Sequence, residues 1–170
     1  MRMLQKMMNT DLLLKEINDV FPDSPMPDTS ELTVHQKDCE LCDDVRRYLN
    51  VYRHLSVDNK LIRFLHQNLY ELSPLAFRWV LPHYLKYCLT EDWAYAQEET
   101  YFLVFNLGPA PQLENDTLIR FAALNDKQIN CLIDFLSWCT GVEDCIDIED
   151  DINRAFAFLK KLLNQARLKM

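Results

Sequence analysis

"SPLAFRWVLPHYLKYCL", residues 73–89, carries the reading of the fold. Ser73 offers a side-chain oxygen to the free amides of a helix start, and Pro74 stands in the first turn, where its missing N–H costs nothing. Beyond them Arg78, Pro82 and Lys86 recur every four residues and share one stripe, the polar one. Pro82 therefore predicts a central helix that either bends around the core with the proline outside or breaks after Leu81.

Downstream, a helix is predicted over 93–106, closed by Gly108-Pro109, and "GPAPQLENDT" (108–117) reads as loop. The stretch "TYFLVFNL" (100–107) is β-friendly enough that helix and strand both stand for it. Asn125 and Gln128 form a capping-box pattern for "DKQINCLIDFLSWC" (126–139), where Lys127, Asn130, Asp134 and Ser137 leave a single polar stripe. Gly141 ends that helix. A last one, from about Asp147, places Ile148, Ile152, Ala155, Phe156, Leu159, Leu162, Leu163 and Ala166 on one face. Its later cations, Lys160, Lys161, Arg167 and Lys169, suit the negative end of the helix dipole.

Upstream, Ser56 predicts the cap of a short helix carrying Leu61, Ile62, Leu65 and Leu69. Before it, a helix from near Asp38 has Cys42, Val45, Leu49 and Tyr52 as its buried seam, with Asp43, Arg46, Arg47 and Asn50 on the wet side. "FPDSPMPDTSELT" (21–33) is a surface loop, and Thr10-Asp11 opens a helix to Phe21 that buries Leu13, Ile17 and Val20. The expectation is all-α: a flexible tail over 1–9, then a single compact domain over 10–170 of six to seven helices.

Composition narrows the function classes. Of 170 residues, 49% are hydrophobic, and only two are glycine, which disfavours glycine-rich phosphate loops. Twenty-six acidic against 18 basic residues give a net charge of −8, unsuited to nucleic acid or an anionic membrane and suited to a basic partner. No apolar run approaches the ~20 residues that span a bilayer, and "MRMLQKMMNT" lacks the apolar core of a signal peptide. The six cysteines are accordingly expected as reduced thiols in a cytoplasm.

Two stretches stand out chemically. "HQKDCELC" (35–42) sets His35, Cys39 and Cys42 at four-then-three spacing, one face of a helix if that helix reaches back to residue 35. They are three of the four ligands of a structural zinc, or the three of a catalytic one; the alternative is a buried Cys42 packed as a small hydrophobe. A thioredoxin-like role is disfavoured by the surrounding Asp38, Glu40, Asp43 and Asp44, which oppose a thiolate. His83 beside Tyr84 and Tyr87 is a candidate polar pocket, with Arg63 or Arg78 available to join it. "EDCIDIEDD" (143–151) holds six acids, Glu143, Asp144, Asp147, Glu149, Asp150 and Asp151, and no base. One or two suffice to cap a helix; the rest point to a cationic partner.

"CELC", "LSPLAFRWVLP", "RFAALNDKQ" and "DFLSWC" together resemble a family of small bacterial all-helical domains of unknown function. Its pattern of Cys-x-x-Cys, then Leu-Ser-Pro-x-Ala-Phe-x-Trp-x-Leu-Pro, then Phe-x-x-Leu-x-x-x-Gln is met by Cys39 and Cys42, by Leu72 to Pro82, and by Phe121, Leu124 and Gln128. The resemblance covers about residues 35–140 and implies a helical fold and bacterial origin, with no activity to carry over. The leading functional expectation is a small acidic cytoplasmic binding module, such as an immunity protein that neutralises a basic toxin. The alternatives are a zinc-binding domain or metal-dependent enzyme built on His35, Cys39 and Cys42, and a regulatory scaffold with an apolar groove beside Pro82.

Overall fold

The computed structural model describes the backbone of residues 2–167 and the side chains of residues 9–165. Its eight helices are α1 (Arg2–Val20), α2 (Glu40–Val51), α3 (Asn59–Leu65), α4 (Pro74–Thr90), α5 (Trp93–Leu107), α6 (Glu114–Phe121), α7 (Asp126–Thr140) and α8 (Glu149–Arg167). The described residues contain no strand; one isolated antiparallel bridge joins Thr33 to Leu72.

Helix α4 runs unbroken through Pro82 and is capped by the Ser73 side chain, which accepts from the Ala76 amide. Arg78 is exposed and Pro82 half-buried, so the amide lost at 82 falls on the stripe open to water. The rest of α4 is core: Phe77, Val80, Tyr84 and Leu85 are fully buried. Around it pack α1, α3, α5 and α6, while α7 lies between α1 and α8, and α8 also covers α5. Phe77 stacks on Phe121 of α6, which meets Phe158 of α8 edge-on. The full capping box of α7 is present, and the Gln128 side chain also donates to the Val20 carbonyl, tying α7 to the end of α1.

Several boundaries differ from the sequence expectation. Eight helices form rather than six or seven, because the segment read as loop contains a 3-10 turn (Pro111–Leu113) and then α6. Residues 100–107 are helix, with the buried Thr100 hydroxyl returned to the Ala96 carbonyl. Helix α1 begins at Arg2, so Thr10 and Asp11 lie inside it. The segment expected as a tail thus has helical backbone from residue 2, while the side chains of residues 1–8, Ala166 and Arg167, and all of Lys169, lie outside the described set. Asp58, not Ser56, caps α3. Helix α2 starts at Glu40 with Cys39 as its cap, since Asp38 takes a left-handed conformation (φ 58°) that ends any backward extension. The last helix starts at Glu149, after 3-10 turns over Glu143–Ile148.

Candidate metal centre and cleft

The segment before α2 is held at both ends. Its 31–34 stretch is laced to the start of α4: the Val34 amide donates to the Glu71 carbonyl (2.9 Å), the Ser73 amide to the Leu32 carbonyl (3.1 Å), and the Ser73 hydroxyl to the Glu31 carbonyl. From the other side Arg46 of α2 reaches across. Its guanidinium donates to the Thr33 hydroxyl and to the carbonyls of His35 and Gln36, and pairs with Asp43. Arg46 was expected on the wet side; it is instead the clamp that fixes His35.

His35 thereby arrives beside Cys39 and Cys42 although no helix spans the three. Their ligand atoms lie within 4.8 Å of one another, and Cys42 Sγ stands 3.7 Å from His35 Nδ1. The Cys42 backbone N–H points at Cys39 Sγ (3.4 Å), capping α2 through sulfur. Cys42 is fully buried, Cys39 half-buried and His35 exposed. Burial, then the neighbouring Cys39 thiol, pushes the Cys42 thiol above the ordinary range. The other four cysteines sit in the core away from any such histidine. Burial pushes Cys88 and Cys131 up to about 12 and Cys139 further, which makes them unreactive.

His35 and Cys39 form part of the wall of a cleft of about 1000 Å³ between the 30–39 segment, the start of α4 and α6. Its apolar walls include Val34, Tyr70, Leu75 and Ile119, all exposed. Its polar groups include the half-buried Glu71 and the buried Arg120. Burial raises the Glu71 carboxyl, and its Oε2 has no hydrogen-bond partner among the described residues. Arg120 is 3% exposed, and burial pulls its guanidinium down. Neither residue could be singled out from sequence: Glu71 sits in a 3-10 turn, and Arg120 is a cation on the buried face of α6, where apolar residues are the usual occupants. Pro82 is not among the residues lining this cleft, which lies at the start of α4, whereas Pro82 stands in the middle of that helix.

The remaining candidates are placed elsewhere. His83 packs against Trp79 with ring centres 6.0 Å apart, and burial lowers its pKa. The Tyr84 hydroxyl donates to the Glu99 carbonyl, and the Tyr87 hydroxyl donates to the Tyr95 carbonyl and accepts from Arg63. Of the six acids, Glu143, Asp144, Asp147, Glu149 and Asp150 are exposed, whereas Asp151 is half-buried and pairs with Arg154. A buried contact that sequence reasoning missed is His66 Nδ1 to Glu99 Oε1, 3.5 Å apart between α3 and α5.

Fold and site together define a small all-helical protein with His35, Cys39 and Cys42 gathered at the wall of an apolar cleft. The chain belongs to the family of unknown function DUF6714, whose family model matches residues 9–162. No curated protein and no solved structure matches it.

Proposed function

We propose that this is a zinc-binding protein in which His35, Cys39 and Cys42 hold the metal and leave its fourth position for water or a cleft-bound ligand. One observation carries the reading: three ligand atoms within 4.8 Å, with a sulfur-to-nitrogen separation of 3.7 Å. Zn–S and Zn–N bonds of ordinary length at a tetrahedral angle put those atoms roughly 3.6 Å apart. The Cys42 amide aimed at Cys39 Sγ helps to fix that sulfur, and the acids around the loop favour a cation. When bound, zinc supplies a Lewis acid at the cleft wall. The protein's own contribution is to fix His35 through the Arg46 clamp and to shelter Cys42 from water. Cobalt(II) titration tests this. One equivalent should bind and give thiolate-to-metal charge-transfer bands, lost in Cys39→Ser and in His35→Ala. A spectrum without those bands overturns the proposal.

A second reading has its own support: five exposed acids from Glu143 to Asp150, with no ion-pair partner among the described residues. At that density like charges repel, and a basic surface relieves the repulsion. On this reading the protein is a cytoplasmic binding module of bacterial type, such as an immunity protein that neutralises a basic toxin. A basic protein that copurifies with it should be released when Asp147, Glu149 and Asp150 are replaced by Lys, with helicity unchanged. Retention of the partner by that variant contradicts the assignment.

A further inference from the structure

Arg120 is the odd group in the cleft. Its Cζ lies 4.5 Å from the Tyr70 ring centre and 5.3 Å from that of Phe77, so two aromatic faces share its charge. Its hydrogen bonds are long: Nη1 to the Leu69 carbonyl and Nη2 to the Thr117 hydroxyl, 3.4 Å each. Nε has no partner among the described residues. Glu71 and Asp116 line the same cleft, yet no described carboxylate comes within ion-pair distance of the guanidinium. Glu71 and Asp116 act on its charge only from beyond contact, and a buried guanidinium with a donor left unpartnered is strongly unfavourable. An incoming anion removes that penalty.

The surroundings restrict which anion. Val34, Leu75 and Ile119 present large apolar side chains to the cleft while remaining 43%, 44% and 62% exposed. The volume lies at the upper end of the ~300–1,000 Å³ range of small-molecule sites. Glu31, Glu71 and Asp116 repel multiply charged groups such as phosphates.

We propose that the cleft binds a small monocarboxylic acid with an apolar body, its carboxylate received by Arg120 and its body lying against Val34, Leu75 and Ile119. This site does not require the metal. His35 and Cys39 line the same cleft as Arg120, which places the two sites together.

Calorimetric titration of the intact protein with decanoate, 1-decanol and decylamine tests it, in zinc-loaded and chelator-treated samples and in Cys39→Ser. Decanoate should bind at one site at least tenfold more tightly than decanol, with decylamine weakest and with the order unchanged without metal. Arg120→Gln should abolish the preference for decanoate over decanol. If that variant fails to fold, Ile119→Glu carries the test: at an exposed position it trades apolar wall for negative charge and should weaken decanoate at least tenfold more than it weakens decanol. Equal binding of acid and alcohol, or an unaffected Ile119→Glu, overturns the proposal. Decanoate binding that appears only with zinc also overturns it, and assigns the carboxylate to the metal instead. Metal-independent binding in a protein that takes up no zinc upholds this site while the zinc reading fails.

Discussion

The Asp58 carboxylate accepts from the Leu61 amide (2.9 Å) and from the Tyr52 hydroxyl (3.0 Å), capping α3 and tying it to the end of α2. The Leu61 hydrogen bond, more than any other contact, holds its pKa below the ordinary value. A folded-state pKa below the unfolded one stabilises at neutral pH, and that stabilisation is lost as pH falls through the folded value. Asp58→Ala should therefore cost about 0.5–2 kcal/mol at neutral pH, shrinking in acid once the carboxylate is protonated. Urea unfolding at the two pH values checks this; an equal loss at both contradicts it. Ser56 and Asp58 are both cap-forming residues two positions apart, and the choice between them is made by Tyr52 across the turn. Spacing alone did not contain that contact. The His35, Cys39 and Cys42 cluster shows the converse, since its members were readable from their spacing. The route that joins them, a loop past a left-handed Asp38, was not.

At the scale of elements, the clamp from α2 and the close approach of α8 bear the most testable weight. Arg46 engages Thr33, His35 and Gln36 at once, so Arg46→Ala should free the His35 loop and weaken metal binding by about 10–100-fold, as loss of a supporting contact does elsewhere. Competition with a chelating dye measures it; unchanged affinity would show that the loop is held by the α4 lacing alone. Gly108 ends α5 where α8 crosses: a Cβ there would meet the Ala155 backbone nitrogen at 2.6 Å. That neighbour is backbone and cannot swing away, so Gly108→Ala should destabilise by about 1–3 kcal/mol in thermal or denaturant unfolding. The Gly-Pro pair announced the helix end, but only the packing of α5 on α8 shows why no side chain fits. Helices α4 and α7 were legible because their caps are local: Ser73-Pro74, and Asn125 with Gln128. Helix α6 was not, because the residues it buries include Thr117 and Arg120.

For the molecule as a whole, charge and burial divide the surface into two regions. The acids of the 143–151 stretch lie on the connection between α7 and α8 and in the first turn of α8, with the Asp144 carbonyl bonded to the Tyr101 hydroxyl of α5. The ligand set and cleft lie among α2, α4 and α6. No helix among the described residues is long and apolar enough to cross a membrane. The net charge of −8 was readable at once, whereas the cleft arises from residues scattered between Ser30 and Arg120 and exists only after folding. The most direct measurement is a native mass spectrum of the protein purified gently from its own host. The account predicts a mass excess of one zinc per chain, absent from Cys39→Ser prepared in parallel. A bare, fully folded chain that takes up no zinc on addition would contradict it, leaving Cys39 and Cys42 as thiols that only pack and cap the start of α2.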